Sequence, residues 1–382
     1  MEHRPSIVEP RRSEGVPKET AERNSLEPLA RALSHAFPEA KWGSLAAIPR
    51  VDYFAAGMQE QLRILARAVG ADAAANAVAS HDAVRALGEA DDEKVRAVAA
   101  FAVPLLYAEP ADQLKVLRVT GAFEGTWPHE ASAGIVHQIA FDLGASAVIP
   151  HALDWIADDD EAVRRLATES LRPRLMMAPH LADLKTDPTP LRTLYEPLLD
   201  DPSPYVRNSV ANGINDVSKD HPEAVLRWAG EWLAGSPSKR TRKLLERGLR
   251  TLIDGGNTEA LGLLGYAGPE VFSASWHSGL PEVVHLNEKV RFEIDLANES
   301  DAPAQAVVLM RLEFPGRGSA VRTSTYQVWK GTLAPSARRT IGKMIHFADK
   351  SRQPVEPGKV GVRVQVSGAD ALVGEFRFTR GT

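Results

Sequence analysis

The chain reads Asp159-Asp160-Glu161-Ala162-Val163-Arg164 near its centre, and two further segments repeat this order of two Asp residues followed by a Val-Arg pair. They are Asp91-Asp92-Glu93-Lys94-Val95-Arg96 and Asp200-Asp201-Pro202-Ser203-Pro204-Tyr205-Val206-Arg207. The Val residues of the three copies are separated by 68 and then 43 residues along the chain. The first separation is about two units of 34, and helical repeats of the HEAT type run at about 40–47 residues. The repeated segment therefore predicts stacked helix pairs.

The composition excludes several classes of protein. A chain of 382 residues with 44% hydrophobic content is long enough for two or three domains with real cores. It has no Cys, which removes disulfides, thiolate metal sites and Cys nucleophiles and fits a reducing cytoplasm. We find no apolar run of about 18 residues and no apolar N-terminal segment, so we expect neither a membrane span nor a signal peptide. The formal net charge of −5 argues against a nucleic-acid binder unless the basic residues cluster.

The character of the sequence changes twice along the chain. Residues 1–24 are rich in Pro, Arg and Glu, and we expect a disordered tail there. Residues 25–266 show apolar side chains at steps of three and four, the pattern of amphipathic helices. The prediction for this part is a HEAT-like domain of α-helical repeats.

Residues 270–382 have a different pattern, with short alternating segments separated by Gly, Pro, Asn and Ser. The alternation is clearest at 289–296, 307–314, 340–347, 360–366 and 374–378. About six or seven such strands predict an antiparallel sandwich of immunoglobulin size. The predicted fold class is thus mainly α, a HEAT-like helical-repeat solenoid followed by a small all-β immunoglobulin-like sandwich domain.

The helix predicted for residues 161–173 carries an unusual charge pattern. Arg165, Glu169 and Arg172 are spaced at i, i+4 and i+7, so they share one face. Together with Arg164 and Arg174 this stretch holds four guanidinium groups and only one carboxylate between residues 164 and 174. The sequence therefore predicts an electropositive strip with a single acid inside it.

Two later segments are candidates for contacts with an external ligand. The predicted helix 205–217 places Asn208, Asn212, Asn215 and Asp216 away from its apolar stripe, although Asn is a mediocre helix former. The segment 239–250 has six positive charges opposed by Glu246 alone, an arrangement that suits phosphate backbones. Its basic residues are Lys239, Arg240, Arg242, Lys243, Arg247 and Arg250.

Each of these features also has a purely structural interpretation. The Asp and Arg residues of the repeated segment often bond across neighbouring units in HEAT repeats, which would make Asp160, Arg164, Asp201 and Arg207 structural. The basic segment 239–250 and the Asn residues could equally be solvated surface. The eleven His residues show no metal-ligand spacing, so we expect no metal. No phosphate loop, nucleophile elbow or kinase signature is present, and no cofactor is expected.

Two segments resemble motifs of a known enzyme family. They are Val163-Arg164-Arg165-Leu166-Ala167-Thr168-Glu169-Ser170-Leu171-Arg172-Pro173-Arg174-Leu175 and the longer run from Asp201-Pro202-Ser203-Pro204-Tyr205-Val206-Arg207 through Asn212 and Asn215-Asp216-Val217-Ser218-Lys219-Asp220 to His221-Pro222. Both are similar to segments of the AlkC-type DNA glycosylases, which belong to the AlkC/AlkD superfamily of HEAT-like-repeat proteins. The resemblance covers most of residues 25–382 and extends to the domain order, because the AlkC branch carries an immunoglobulin-like domain after the helices.

The resemblance implies functional residues. Glu169 and Asp216 match the family's carboxylates, and Glu130 is the acid retained in a third helix whose surrounding motif differs here. These three would be catalytic, stabilising a cationic sugar and orienting water. We add to these a predicted DNA-binding set, consisting of Arg165, Arg172, Arg174, Arg207, Asn212, Lys239, Arg240, Arg242 and Lys243.

The implied function is excision of N-alkylated, cationic bases such as 3-methyladenine from double-stranded DNA by hydrolysis of the N-glycosidic bond, in base excision repair. Members of the superfamily grip the duplex on a concave face. We expect a monomer without cofactor, located in the cytoplasm with bacterial DNA. Two other interpretations stay open: a non-catalytic HEAT-repeat scaffold that binds DNA or protein, and a glycosylase for other lesions.

Overall fold

The computed structural model describes residues 25–235, 237–316, 321–348 and 356–381. The tail predicted for residues 1–24 lies outside this range. The chain divides into two compact units, Met1–Pro197 and Leu198–Thr382.

The first unit is helical throughout its described part. Its helices are α1 (Leu26–Ala36), α2 (Gly43–Ala46), α3 (Arg50–Ala55), α4 (Met58–Ala75), α5 (Ser80–Gly88), α6 (Glu93–Leu106), α7 (Pro110–Gly121), α8 (Thr126–Leu143), α9 (Ile149–Trp155), α10 (Glu161–Glu169), α11 (Ala182–Thr186) and α12 (Thr189–Tyr195). The small side chains of α6 let it pack between α4 and α8, and Val95, Val98 and Val103 are fully buried there. The sequence pattern predicted this helical domain, and the fold class is confirmed.

The three copies of the repeated segment form the same local structure at the start of a helix. The residue at the N-cap accepts a backbone hydrogen bond: Asp92 from Lys94 N and Asp160 from Ala162 N, each at 2.8 Å, and Ser203 from Tyr205 N at 3.1 Å. Such caps satisfy backbone N–H groups that have no partner inside the helix. The segment therefore marks where a helix begins.

The Arg of each copy closes the turn that precedes its helix. Its Nη1 donates to the carbonyl oxygens of the residues six and five positions earlier: Ala90 and Asp91 for Arg96, Asp158 and Asp159 for Arg164, Asp201 and Pro202 for Arg207. These contacts stay within one copy, whereas Arg96 Nε also donates to Glu124 O, 28 residues further along the chain, at 2.7 Å. We call this arrangement the turn clamp.

The second unit combines five helices with the β-sandwich. The helices are α13 (Pro204–Val217), α14 (Pro222–Ala234), α15 (Lys239–Gly248), α16 (Arg250–Asp254) and α17 (Thr258–Leu263). The strands are β1 (Phe272–Trp276), β2 (Val283–His285), β3 (Lys289–Asn298), β4 (Ala304–Pro315), β5 (Val321–Leu333), β6 (Arg338–His346), β7 (Gly358–Val366) and β8 (Ala369–Thr379).

Two sheets form the sandwich. One has the order β1-β3-β6 and the other β2-β8-β7-β4-β5, with all pairs antiparallel except β2 with β8. Alternate residues of the strands, among them Phe292, Ile294, Val308 and Val364, fill the core between the sheets. The predicted all-β domain is therefore present.

Two predictions of element bounds are corrected. The helix predicted for residues 161–173 ends at Glu169, which is followed by a turn that leads to Pro173. The sandwich has eight strands in its described residues, not six or seven, because β1, β2 and β5 escaped the pattern. Strand β5, at the edge of its sheet, has Arg, Thr and Ser at positions 322–325, and its large side chains lie mostly in its second half.

Within the second unit the last helices are bonded to the sandwich. Arg311 Nη2 donates to Gly255 O at 2.6 Å, and Ala267 N donates to Gln305 O at 2.9 Å. A salt bridge joins Lys330 to Glu246, and the same ammonium lies 5.7 Å from the centre of the Tyr266 ring. These contacts make helices and strands parts of one packed body.

Candidate active site

Helix α10 presents the predicted acid and its guanidinium neighbours. The helix starts at the Asp160 cap, and its spacing places Arg165 and Glu169 one turn apart on the same side. The chain then turns, with Arg172 N donating to Glu169 O at 3.3 Å, and this brings Arg172 back onto the acid. The prediction that the three side chains share a face is confirmed.

The side chains form a row of alternating charge. Arg165 Nη2 lies 2.5 Å from Glu130 Oε1 on α8 and 3.8 Å from Glu169 Oε2. Arg172 Nη1 lies 2.7 Å from the other oxygen of Glu169. Each carboxylate thus meets a guanidinium, and Glu169 meets two, which fixes the orientation of its carboxylate.

The exposure of the predicted acids differs from our expectation. The sequence predicts carboxylates displayed to a ligand, but the Glu169 side chain is only 6% exposed and that of Asp216 2%, while that of Glu130 is 47% exposed. The cationic partners of the two buried acids cover them. Of the three, Glu130 is the carboxylate that solvent reaches.

The contact of Arg165 with phosphate stays a prediction, and the structure gives this side chain two carboxylate partners. Its side chain is 9% exposed and lies between two carboxylates, so it holds Glu130 and Glu169 in place. Arg172 and Arg174 are half-buried. They remain predicted phosphate contacts.

His129 lies beside Glu130 on α8 and adds to the electrostatics of this region. Burial lowers the pKa of His129 below its usual value, and the positive charge of Arg165 lowers it further. A backbone hydrogen bond with Phe123 and the charges of Asp160 and Glu130 oppose this only in part. The local positive charge therefore comes from guanidinium groups and not from this imidazole at neutral pH.

Asp216 lies in the last turn of α13, within the second unit. Lys219 follows it by one turn, and its Nζ is 3.2 Å from Asp216 Oδ1. The Lys219 side chain is 37% exposed, so a charged group at the surface covers a buried carboxylate. This pairing at i, i+3 resembles the pairing of Glu169 with Arg172.

The Asn residues of α13 have different environments. Asn215 is buried, and its Oδ1 accepts a hydrogen bond from Thr251 N at 3.1 Å, so it ties α13 to α16. The suggestion that Asn215 faces an external ligand is corrected by this contact. Asn208 is exposed, and Asn212 is half-buried with its Oδ1 3.4 Å from Arg247 Nε.

Helix α15 carries the predicted basic segment. Its apolar side buries Leu244 and Leu245, while the four predicted DNA contacts Lys239, Arg240, Arg242 and Lys243 are exposed. The opposing acid, Glu246, is engaged by Lys330. The exposed side of α15 therefore presents a cluster of positive charge.

Arg207 takes part in a turn clamp, and its contact with DNA stays a prediction. Its Nη1 donates to the carbonyl oxygens of Asp201 and Pro202, as Arg96 and Arg164 do in their own turns. The same spacing in all three copies assigns Arg207 to the turn clamp. In each copy the Arg follows the capping residue by four positions, but the Asp pair of the third copy lies two positions further from its Arg, because Ser203 is the cap there.

Sequence reasoning missed two features near Glu169. His137 is completely buried, with Nδ1 2.9 Å from Ser170 O and Nε2 2.7 Å from Pro179 O. Met176 and Met177 are among the most exposed large apolar side chains of the described residues, at 80% and 82%. No local pattern signals the His137 contacts, since they join residues 33 and 42 positions apart.

The described residues contain neither a candidate metal site nor a candidate membrane span. No group of three or more His, Cys, Asp or Glu side chains there could hold a metal ion. No helix in this part of the chain combines the length and apolar character that crossing a membrane requires.

Two family models match the chain. Residues 54–243 match the DNA alkylation repair enzyme family. Residues 277–380 match the model described as the C-terminal immunoglobulin-like domain of the uncharacterised protein YhaZ. The two matches occur in the order that the sequence predicted.

Individual proteins resemble the chain to different extents. The uncharacterized protein YhaZ of Bacillus subtilis (strain 168) is 34% identical over 159 residues, which are 42% of this chain and 44% of YhaZ. The match thus spans less than half the length of that relative.

Among solved structures, the alkylpurine DNA glycosylase AlkC of Pseudomonas fluorescens, bound to DNA containing an abasic-site analogue, has a TM-score of 0.81. It is 23% identical, and the match covers 95% of this chain and all of AlkC. AlkD2 of Streptococcus mutans is 22% identical, with a TM-score of 0.39 over 59% of this chain and 98% of its own. The likeness to AlkC shows a shared fold across both predicted domains.

Proposed function

Through residues 54–243 the chain belongs to the DNA alkylation repair enzyme family, and from this premise we propose that it is a DNA glycosylase for N-alkylated bases in duplex DNA. The substrate class is cationic purines such as 3-methyladenine, and the reaction is hydrolysis of the N-glycosidic bond. The fold shared with AlkC, an alkylpurine DNA glycosylase solved with DNA, supports the proposal. We propose that it acts as a monomer, in the cytoplasm with bacterial DNA.

The chemistry needs few groups from the protein. An N3-alkylated purine is already positively charged, so it leaves without a general acid. Breaking the bond creates positive charge on the sugar, and a preorganised carboxylate stabilises that charge. A carboxylate can also orient the attacking water. The reaction thus calls for fixed acids near the sugar.

The observation that carries the proposal is Glu169 held by two guanidinium groups. A carboxylate fixed in this way does not have to reorganise when the sugar becomes positive. Phosphates compete well for guanidinium groups. We infer that DNA phosphates draw Arg172 aside, which uncovers one oxygen of Glu169 for the sugar while Arg165 stays beside the other oxygen and keeps the carboxylate in place.

The other predicted residues take roles that match their surroundings. Glu130 is the exposed acid and is proposed to orient water, and the same role is proposed for Asp216, whose cover is Lys219. Arg165 is assigned to positioning Glu130 and Glu169. Phosphate contacts are assigned to the exposed side of α15, and Asn212 is assigned to positioning of the bound nucleotide.

Release of 3-methyladenine from methylated duplex DNA tests the function. We expect Glu169→Gln and Asp216→Asn each to slow release by about 10²–10³-fold while binding of the duplex persists. Glu161→Gln is the matched control, because Glu161 is an exposed acid of the same helix as Glu169. Unchanged release by both variants would remove these acids from catalysis.

A second candidate function is compatible with the same ion pairs. Glu169 and Asp216 both have cationic partners from this chain, as they would in a non-catalytic DNA-binding scaffold. A wild-type chain that binds duplex DNA but liberates no base from any of a panel of defined lesions would establish the scaffold. Release from bulky or crosslinked lesions alone would instead indicate a glycosylase of different specificity.

A further inference from the structure

The loop that follows α10 exposes two large apolar side chains. This loop, residues 170–181, has Met176 80% exposed and Met177 82% exposed at its tip. Among the exposed large apolar residues of the described chain, only Val51 matches them, at 83%. Apolar side chains exposed next to each other often mark an interaction surface.

The loop is held in a fixed shape, although its tip is exposed. Leu181 N donates to Pro173 O at 3.1 Å, which closes the loop at its base. The buried His137 lies between the two ends of the loop, with Nδ1 2.9 Å from Ser170 O and Nε2 2.7 Å from Pro179 O, so one side chain contacts both ends. The methionines are therefore presented by a framework that does not depend on them.

The backbone at the tip is strained. Met177 has a φ of +63°, a region that L-residues with long side chains rarely adopt and that Gly and Asn tolerate. A strained residue that is also exposed contributes little to folding, and such residues cluster at ligand-binding sites.

The charge of the loop indicates what it meets. Residues 170–181 contain Arg172, Arg174 and His180 and no acid, so the two methionines lie in a positive segment. The loop also begins directly after Glu169. A partner with phosphates outside and apolar faces inside fits this combination, and duplex DNA has both.

We propose that the loop 170–181 is a preformed wedge whose two methionines pack against the bases and deoxyriboses of duplex DNA beside the lesion. The inference rests on the proposed function for the identity of the partner. Apolar side chains inserted at base steps are a known means of holding distorted DNA. His137 serves the wedge by fixing the two ends of its loop.

The variant Met176→Ser with Met177→Asn tests the wedge, because Asn suits the backbone at 177 and the loop keeps its framework. We expect the Kd for duplex with an abasic-site analogue to rise about tenfold or more, as for the loss of buried apolar area. The dependence of affinity on salt should keep its slope, because the substitutions leave every phosphate-binding side chain in place. Val51→Ser is the matched control, and it should leave the Kd unchanged.

Oxidation with hydrogen peroxide, followed by mass spectrometry, tests whether the two methionines contact the duplex directly. In the free protein Met176 and Met177 should oxidise fast, and saturating duplex should protect both. Equal oxidation with and without duplex, or an unchanged Kd for the double variant, would overturn the wedge.

The wedge and the glycosylase proposal fail separately. A protein that releases alkylated bases but shows no change in the double variant loses the wedge alone. A protein that protects its methionines with DNA but releases no base loses the glycosylase activity alone.

Discussion

At the scale of single residues, Glu169 and Asp216 are each covered by cations close to them in the chain, whereas Glu130 is exposed. The spacing of Arg165, Glu169 and Arg172 predicted their shared face, because helix geometry fixes which side chains are neighbours. Their burial could not be predicted this way, since it depends on elements far apart in the sequence, such as Glu130 on α8. The same limit hid His137, whose partners come from a loop that starts 33 residues later.

The lowered pKa of His129 predicts how stability depends on pH. The unfolded chain takes up a proton on this imidazole near pH 6.5, whereas the folded chain does so only at lower pH. Between the folded and the unfolded pKa the unfolded state binds more protons. The stability that the neutral form of His129 contributes to the unfolding free energy is therefore fully present above about pH 6.5 and is lost as the pH falls.

Denaturant unfolding at pH 7.5 and 5.5 measures this effect. His129→Gln should reduce the loss of unfolding free energy between the two pH values, because the titrating group is gone. His35→Gln, an exposed histidine of α1, is the control and should leave the pH dependence as it is in the wild type. If His129→Gln loses as much unfolding free energy between pH 7.5 and 5.5 as the wild type does, the assignment to His129 is contradicted.

At the scale of elements, the turn clamp explains why the repeated segment predicted the fold. Its Asp or Ser caps a helix, and its Arg satisfies carbonyl oxygens that the turn leaves without partners in a helix or sheet. The pattern is local, so the sequence contained it. Strand β5 shows the opposite case, because an edge strand packs on one side only and its Thr and Ser residues give a weak alternation.

Removal of a clamp should destabilise the helix it precedes. Arg96→Gln loses donors to Ala90 O, Asp91 O and Glu124 O, and we expect about 1–3 kcal/mol less unfolding free energy. Arg85→Gln, which loses only a surface pair with Asp82, should change it by less than about 1 kcal/mol. Thermal and denaturant unfolding provide the measurement, and equal losses in the two variants would argue against the clamp.

The basic face of α15 predicts a salt-dependent contribution to DNA binding. Replacing Lys239, Arg240, Arg242 and Lys243 by Gln should weaken binding and flatten the salt dependence by about 0.9 in slope for each phosphate that is no longer neutralised. The variants should fold normally because all four side chains are exposed.

A control with the same change of charge uses Arg31, Lys41, Arg50 and Arg67, which are exposed on the first unit. Titration of duplex DNA at about 50 and 200 mM salt compares the two quadruple variants. Equal effects on affinity and slope would show that total charge, and not the face of α15, determines binding.

At the scale of the whole molecule, the two compact units do not follow the change in sequence pattern. The pattern predicts a boundary between residues 266 and 270, where helices give way to strands. The second compact unit starts at Leu198 and so includes five helices together with the sandwich. The buried apolar cluster of the sandwich consists of sandwich residues alone, and the last helices are joined to the strands by hydrogen bonds such as Arg311 to Gly255 O. Composition marks where secondary structure changes, but it does not report such bonds.

Gly256 tests the packing inside this second unit. Its φ is +72°, and a Cβ there would lie 2.9 Å from Gln365 Oε1 of the sandwich. Gly256→Ala should therefore lower the unfolding free energy by about 1–2 kcal/mol. The same substitution at Gly262, in α17 with open space around it, should raise it by about 0.5–1 kcal/mol. If the melting temperatures of Gly256→Ala and Gly262→Ala move in the same direction, the close approach of Gly256 to the sandwich is contradicted.

The turn clamp also bears on how such a chain can lengthen. In all three copies one nitrogen of the Arg satisfies two carbonyls of its own turn, without needing a matching side chain from the adjoining repeat. A duplicated or deleted repeat would therefore carry its own helix start with it. Recombination between the Asp-rich segments could add or remove whole repeats in ancestral chains. After such an event, only the surfaces where repeats contact each other would need new compensating substitutions.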